Sequence, residues 1–196
     1  LMPPMGHVVG GGVCREHGQW TQGAIWRIIV LPAGRRGPVY VWEVQRMQAI
    51  VYRRPGMVGV EEREVGAPGP GQALVRVRAC GVCGTDRHIY HGEFPATPGA
   101  VLGHEYAGEV VAVGEGVTDL QPGMRVAVDP NIVCGRCRPC RAGTVHLCEN
   151  LTALGVNYDG GFAEYSLAPR NQLYRFGEAL DWAEAAMAEP LACCLH

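Results

Sequence analysis

From Gln72 to Ala79 the chain alternates, with Ala73, Val75, Val77 and Ala79 on one side and Leu74, Arg76 and Arg78 on the other. A period of two predicts a half-buried strand. Gln48-Ala49-Ile50-Val51-Tyr52 reads as a second strand, and Arg53-Arg54-Pro55-Gly56 as the turn that ends it. Tyr106 to Val113, Met124 to Val128 and Phe162 to Ala168 are further strand candidates, and glycine and proline clusters such as Gly66-Ala67-Pro68-Gly69-Pro70-Gly71 lie between them. Short strands with this punctuation predict a mainly β fold with a compact, barrel-like core. No internal repeat is evident.

Both ends break this pattern. Over residues 1–46 neither a helical nor an alternating period lasts more than a few positions, and Gly10-Gly11-Gly12 and Arg35-Arg36-Gly37-Pro38 interrupt what there is. Three of the four tryptophans (Trp20, Trp26, Trp42) fall there. The segment is read as a non-domain extension, either a mistaken upstream start or a disordered arm, with Met47 as the functional start. A genuine element packed on the barrel is the alternative. The β domain is expected over 47–180. Near the other end, Asp181-Trp182-Ala183-Glu184 has the form of a capping box. An alanine-rich helix should follow to about Ala188, and Pro190 suits the first turn of a second helix. The run Leu191 to His196 is apolar, without a glycine cap or polar tail. Residues 181–196 are therefore read as a helical connector that stops in mid-element.

Composition narrows the classes. The chain has 196 residues, 47% hydrophobic and 18% charged, which is the profile of a globular protein. A net charge of −2 gives no electrostatic case for nucleic acid or an anionic membrane. No apolar run approaches the roughly 20 residues that span a bilayer. Ile28 to Leu31 is too short and too far inside to be a signal-peptide core. The nine cysteines cluster in C-x2-C pairs, which favours metal thiolates in a reducing cytoplasm over disulfides. All the basic residues are arginine, scattered along the chain rather than gathered in a patch.

Cys134, Cys137, Cys140 and Cys148 stand in the run CGRCRPCRAGTVHLC, spaced C-x2-C-x2-C-x7-C. Four thiolates so close in sequence can converge on one tetrahedral zinc, at Zn–S distances of about 2.3 Å. Neighbours three apart cannot all pair as unstrained disulfides. Buried free thiols are the other reading. A closed four-thiolate site, in a lobe over 131–149, would hold a loop and do no chemistry.

A second constellation lies upstream: Cys80-Gly81-Val82-Cys83-Gly84-Thr85-Asp86-Arg87-His88, then Gly103-His104-Glu105. Cys83, His104 and Glu105 supply one thiolate, one imidazole and one carboxylate. Three such ligands suit zinc with a fourth position open to water or substrate. Each residue also has an ordinary reading: a core cysteine, a satisfied polar histidine, a solvated glutamate. Residue types alone leave both readings open.

The stretch GHEYAGEVVAVGEGV from Gly103 to Val117 resembles the zinc signature of the medium-chain alcohol dehydrogenases. GVCGTD, the four-cysteine lobe, GGFAEYSLAP and AEPLACCLH match the same family in the same order, over about residues 47–196. The resemblance is to the polyol, sorbitol and threonine dehydrogenase branch. It implies a chaperonin-10-like (GroES-like) β-barrel catalytic domain. It makes Cys83 and His104 ligands of a catalytic zinc, with Glu105 a third ligand, direct or exchanging with water. Glu189 would bind the metal or its water, or simply cap the helix that Pro190 starts. Asp86 would hydrogen-bond His104, Thr85 would accept the proton of the alcohol, and His88 would relay it to solvent, unless it is an ordinary surface histidine. Cys14, Cys80, His91, Cys193 and Cys194 match no ligand position. Two zinc ions per chain, hydride transfer from a secondary alcohol (a polyol, sugar alcohol or hydroxy amino acid) to NAD(P), and a homo-oligomeric full-length protein are the implied properties. No G-x-G-x-x-G occurs. A dinucleotide-binding Rossmann domain is thus expected to be absent, and the chain on its own to be inactive. A non-catalytic zinc-binding domain is the alternative reading.

Overall fold

The computed structural model describes residues 29–31, 39–41 and 45–195, with side chains from 45 onwards. Most of the expected extension over 1–46, Cys14 included, lies outside the described residues. Within it β1 (Ile29–Leu31) pairs antiparallel with β2 (Val39–Val41). The next strand, β3 (Gln45–Arg54), begins two positions before Met47. Gln45 and Arg46 already sit in register with Val65 and Glu64 of β4 (Met57–Val65). Their polar side chains hid them from a reading based on apolar pattern. β4 was missed for the same reason. It is exposed along most of its length, and Arg46–Glu62 and Arg53–Glu61 ion pairs brace it across the hairpin.

The centre is a five-stranded antiparallel sheet. It is built from β5 (Gln72–Gly81), β6 (Glu105–Val113), β7 (Arg125–Val128), β10 (Tyr165–Pro169) and β11 (Leu173–Arg175), in the order β10-β5-β6-β7-β11. Two short strands, β8 (Asn131–Ile132) and β9 (Thr152–Ala153), pair separately at the base of the cysteine-rich loop. Ala73 and Val75 face the main core with Tyr106, Val110, Val126 and Leu173. Leu74, on the opposite face, is buried with Met47, Val65, Ala112 and Tyr165. The strand is therefore covered on both faces near its start. A register shift between Val77 and Ala79 then resets the alternation. Cys80 joins Val77 at the main core, and Ala79 packs with Ala107 and Ala185 instead. The extra residue at a bulge flips every side chain after it, which a strict period of two cannot anticipate.

Gly69-Pro70-Gly71 and Gly114-Glu115-Gly116 pack against each other. A Cβ on Gly114 would come within 1.9 Å of the Gly69 carbonyl oxygen. Gly71 N–H donates to Glu115 O, and Gly114 N–H to Gln72 O, each at 2.8 Å. These glycines serve close backbone approach at the β5–β6 end and open no helix.

Four α-helices, α1 (Gly84–His91), α2 (Arg138–Arg141), α3 (Trp182–Ala186) and α4 (Ala188–Leu195), and two single-turn 3-10 helices complete the described chain. Ile89 of α1 is buried with Tyr52, Leu102 and Val156, which docks that helix beside β3. The capping box expected at Asp181 is present: Glu184 N–H donates to Asp181 Oδ1 at 2.7 Å, and Asp181 N–H to Glu184 Oε2 at 2.8 Å. Pro190 sits in the first turn of α4, as its missing N–H requires. Arg125 fastens this end to the sheet. Its guanidinium lies 4.1 Å from the Trp182 ring centre and 4.7 Å from that of Phe176. It also donates to Leu180 O at 2.7 Å.

Candidate functional site

His104 is placed by glycine. Gly103 holds a φ of 89°, a left-handed conformation that side chains other than glycine's resist. Its carbonyl accepts from Gly161 N–H at 2.7 Å. A Cβ on Gly155 or Gly160 would come within 2.3 or 2.1 Å of that same oxygen. The backbone just before His104 is thus packed too tightly for any other residue type at these positions. Glu105 opens β6 directly opposite Gly81 of β5. A Cβ on Gly81 would lie 2.3 Å from Glu105 Oε2, so the missing side chain is the space the carboxylate fills.

Cys83 is the residue before α1 and caps it. Its N–H donates to Asp86 Oδ2 at 2.9 Å, closing the first turn. Its Sγ lies 3.5 Å from Thr85 Oγ1. Helix start and strand start bring Cys83, His104 and Glu105 together, with one donor atom from each within 4.8 Å of the others. His104 and Glu105 are buried, and Cys83 is half-buried. This mixed thiol, imidazole and carboxylate set is of a kind that holds zinc.

Asp86 faces His104, with Oδ1 3.7 Å from Nδ1. That is beyond hydrogen-bond range, so the expected bond is not formed. The reason is local: the Cys83 N–H holds the other oxygen and pins the carboxylate in the helix turn. Both facing atoms are buried without another partner. Burial raises the Asp86 carboxyl above its ordinary value, although the Cys83 N–H and His104 pull the other way. Cys80 stays apart from the cluster. Burial pushes its thiol up to about 12, which keeps it neutral.

A cavity of about 330 Å³ opens over His104. Thr85 and Glu189 line it with His104, so Glu189 reaches the same space from α4 without joining the converging donor set. Its Oε1 lies 3.5 Å from Cys193 Sγ. His88 is exposed on the next turn of α1 from Thr85 and pairs with Glu93 through Nδ1 at 2.5 Å. Sequence reading missed the other walls, among them Phe94, Asn131, Leu151 and Asn157. Their spacing along the chain carries no signal, since turns and the β8–β9 pair bring them in.

The four-cysteine run forms its own cluster, with Cys134, Cys137, Cys140 and Cys148 sulfurs all within 4.8 Å of one another. Backbone amides point at them. Cys134 N–H donates to Cys148 Sγ at 3.3 Å, Cys137 N–H to Cys134 Sγ at 3.4 Å, and Asn150 N–H to Cys148 Sγ at 3.4 Å. The amides of Arg136 and Cys137 lower the Cys134 thiol to about 6. Desolvation, then bonding with the neighbouring thiols, pushes Cys140 up to about 12. Without a cation to balance them, four sulfurs this close cannot all ionise. The N–H donors nevertheless favour thiolate, which is the protonation state a metal requires.

These features agree with what the chain is similar to. The family described as the alcohol dehydrogenase GroES-like domain matches residues 69–178, and the chain belongs to it. D-altritol 5-dehydrogenase of Agrobacterium fabrum (strain C58) is 45% identical over 155 residues, covering 76% of this chain and 45% of that protein. L-threonine 3-dehydrogenase of Pyrococcus horikoshii is 40% identical over 153 residues, covering 75% and 44%. A dehydrogenase of Sinorhizobium meliloti 1021, assigned as zinc-binding and solved with NADP, superposes with a TM-score of 0.76 at 52% identity, covering 78% of this chain and 44% of that one. The matched part therefore spans less than half of each relative. No helix among the described residues is long and apolar enough to cross a membrane.

Proposed function

We propose that this chain is the catalytic part of a zinc-dependent dehydrogenase that oxidises a secondary alcohol, with NAD or NADP as hydride acceptor. The observation that carries the reading is the convergence of Cys83 and Glu105 on His104, which lines an open cavity, apart from a separate four-thiol cluster. One site has the three ligands and free approach of a catalytic zinc, and the other the four thiols of a structural one. The similarity to polyol and threonine dehydrogenases, and to a zinc-binding dehydrogenase solved with NADP, supports a zinc-dependent dehydrogenase. When bound, zinc would supply Lewis acidity to a substrate hydroxyl, and the nicotinamide would take the hydride.

The protein's own groups do the rest. Cys83, His104 and Glu105 would hold the ion, and Glu189 lines the same cavity as His104. Asp86 Oδ1 lies 3.7 Å from His104 Nδ1 and, without a formed hydrogen bond, its charge would favour the proton on that nitrogen, leaving Nε2 free to ligate. Thr85 lines the cavity, with Oγ1 3.5 Å from Cys83 Sγ, and would accept the hydroxyl proton. His88, one turn along the exposed face of α1, passes it to water. The described cysteines are all free thiols, which supports a reducing, cytoplasmic setting.

The test is turnover in the protein extended by the remaining length its relatives have. A zinc-loaded preparation should reduce NAD or NADP in the presence of a secondary polyol, read as absorbance of the reduced nicotinamide. A preparation holding two zinc ions that reduces neither cofactor with any polyol, sugar alcohol or hydroxy amino acid overturns the reading.

A further inference from the structure

We propose that Gln172 is a positioning residue for the cavity. Its buried side-chain amide, acting together with Asp129, holds one wall of that space in the shape that receives a substrate. Its bearing on turnover rests on the dehydrogenase reading above; its hold on the wall does not. Gln172 ends the single helical turn Arg170–Gln172 between β10 and β11 and is 5% exposed. A side-chain amide at that depth needs partners, because an unpaired one is costly. Its Nε2 donates to Asp129 O at 2.9 Å and to Asn131 O at 2.7 Å. Both partners are carbonyl oxygens, which can only accept, so the nitrogen must face them. The main chain adds a third bond, from Asp129 N–H to Gln172 O at 2.9 Å.

The held segment is where the chain leaves the main sheet. β7 ends at Val128, in register with Leu173, and β8 begins at Asn131. Between them Pro130 has no N–H to donate, so its carbonyl is the one backbone group by which it can be tied. All three carbonyls of the segment are taken: those of Asp129 and Asn131 by Gln172, and that of Pro130 by Leu154 N–H at 3.0 Å. Asp129 passes this order on. Its Oδ1 accepts from Asn131 N–H at 2.9 Å and from Asn131 Nδ2 at 3.1 Å, which sets the Asn131 side chain. Pro130 and Asn131 line the cavity with His104. Asn131 is also in register with Ala153 of β9, and Ala153 N–H donates to Asn157 Oδ1 at 2.9 Å; these two line the cavity as well. Gln172 itself does not line it, and it bonds to none of Cys83, His104 and Glu105. Its loss should therefore loosen the wall and leave the metal ligands in place.

Gln172→Met tests this, because it keeps the length of the side chain and removes both donors. A residue that only filled space would tolerate the change. In the zinc-loaded 196-residue chain, hydrogen exchange followed by NMR should show the Asn131 and Leu154 amides exchanging at least about tenfold faster than in the parent. Val110 N–H, bonded to Met124 O, and Gly123 N–H, bonded to Val110 O, each at 2.8 Å, are the controls and should not change. Zinc content should be equal in both proteins. In the extended protein, with D-sorbitol or L-threonine as the alcohol, KM should rise about fivefold and kcat stay within about twofold of the parent. Unchanged exchange at Asn131 and Leu154 overturns the proposal, as does a fall in kcat at constant KM. If the control amides open too, the variant has unfolded, and Asp129→Ala takes its place, read at Leu154 and in KM with the same outcomes deciding. A zinc-loaded parent that oxidises no alcohol would sink the proposed function and the KM half of this proposal with it. The exchange result would then still decide whether Gln172 holds the wall.

Discussion

The lobe and the cavity site each bring their donor atoms within 4.8 Å of one another, four sulfurs in the first and a sulfur, a nitrogen and an oxygen in the second, yet they are assembled in opposite ways. The lobe draws its four sulfurs from 15 consecutive residues, 134–148, through one turn of α2 and backbone amides aimed at sulfur. The cavity site takes Cys83 from a helix start and His104 and Glu105 from the entry to a strand, while Glu189 of a later helix lines the cavity beside them. A site made within one loop can be closed on all sides and inert. A site made where several elements meet leaves a cavity, and a cavity admits a substrate. Damage to one should therefore leave the other largely intact.

The strongest break is at the cavity. Cys83→Ala should remove one of two zinc ions by metal analysis and leave the lobe zinc in place. In the extended protein it should cut turnover by well over the roughly hundredfold that follows from altering a partner that merely supports a metal ligand. Retention of both ions would show that Cys83 is no ligand.

The converse break is Cys137→Ser. Structural zinc carries roughly 10–16 kcal/mol of apparent binding energy in small modules. Its loss should open 131–149 to protease while β5 and β6 stay protected, since the main core contains none of the four cysteines. Limited proteolysis with mass spectrometry reads this directly. Equal resistance in variant and parent would remove the structural role. Because β8 and β9 flank this loop and bear on Asn131 and Asn157, the cavity should loosen somewhat as well.

A smaller effect sharpens the contrast. Arg125→Ala removes the guanidinium stacked on Trp182 and Phe176, and its bond to Leu180 O. About 1–3 kcal/mol should go, lowering the melting temperature by about 2–4 °C per kcal/mol. Proteolysis should spread into α3 and α4, which present Glu189, and spare the lobe.

The smallest effect lies remote from both sites. Arg170 bonds both oxygens of Asp119 and holds its carboxyl below the ordinary carboxylate value. A lowered folded value means that the stabilisation is present above the unfolded pKa and is lost as pH falls through the folded one. Asp119→Asn should melt slightly below the parent at pH 7. The difference should close on acidification, with zinc content equal in both. A gap that widens toward acid would show that another group sets the trend.

How much of this the amino-acid order determines follows the same division. The lobe is legible because its ligands are neighbours in sequence: spacing alone limits where four sulfurs can go. The capping box at Asp181 and Glu184 and the alternation at the start of β5 are legible for the same reason, since each is decided within a few residues. The pairing of Cys83 with His104 and Glu105 was reached through resemblance to a family, because residue types 21 and 22 positions apart carry no geometric constraint by themselves. Tertiary packing decided the rest. The bulge before Ala79, the exposed hairpin strand Met57–Val65, the glycine nest around the Gly103 carbonyl and the distance that keeps Asp86 from His104 all depend on contacts between distant segments. So does the cavity wall of Phe94, Asn131, Leu151 and Asn157, where chemistry depends on which segments meet rather than on which residues are adjacent.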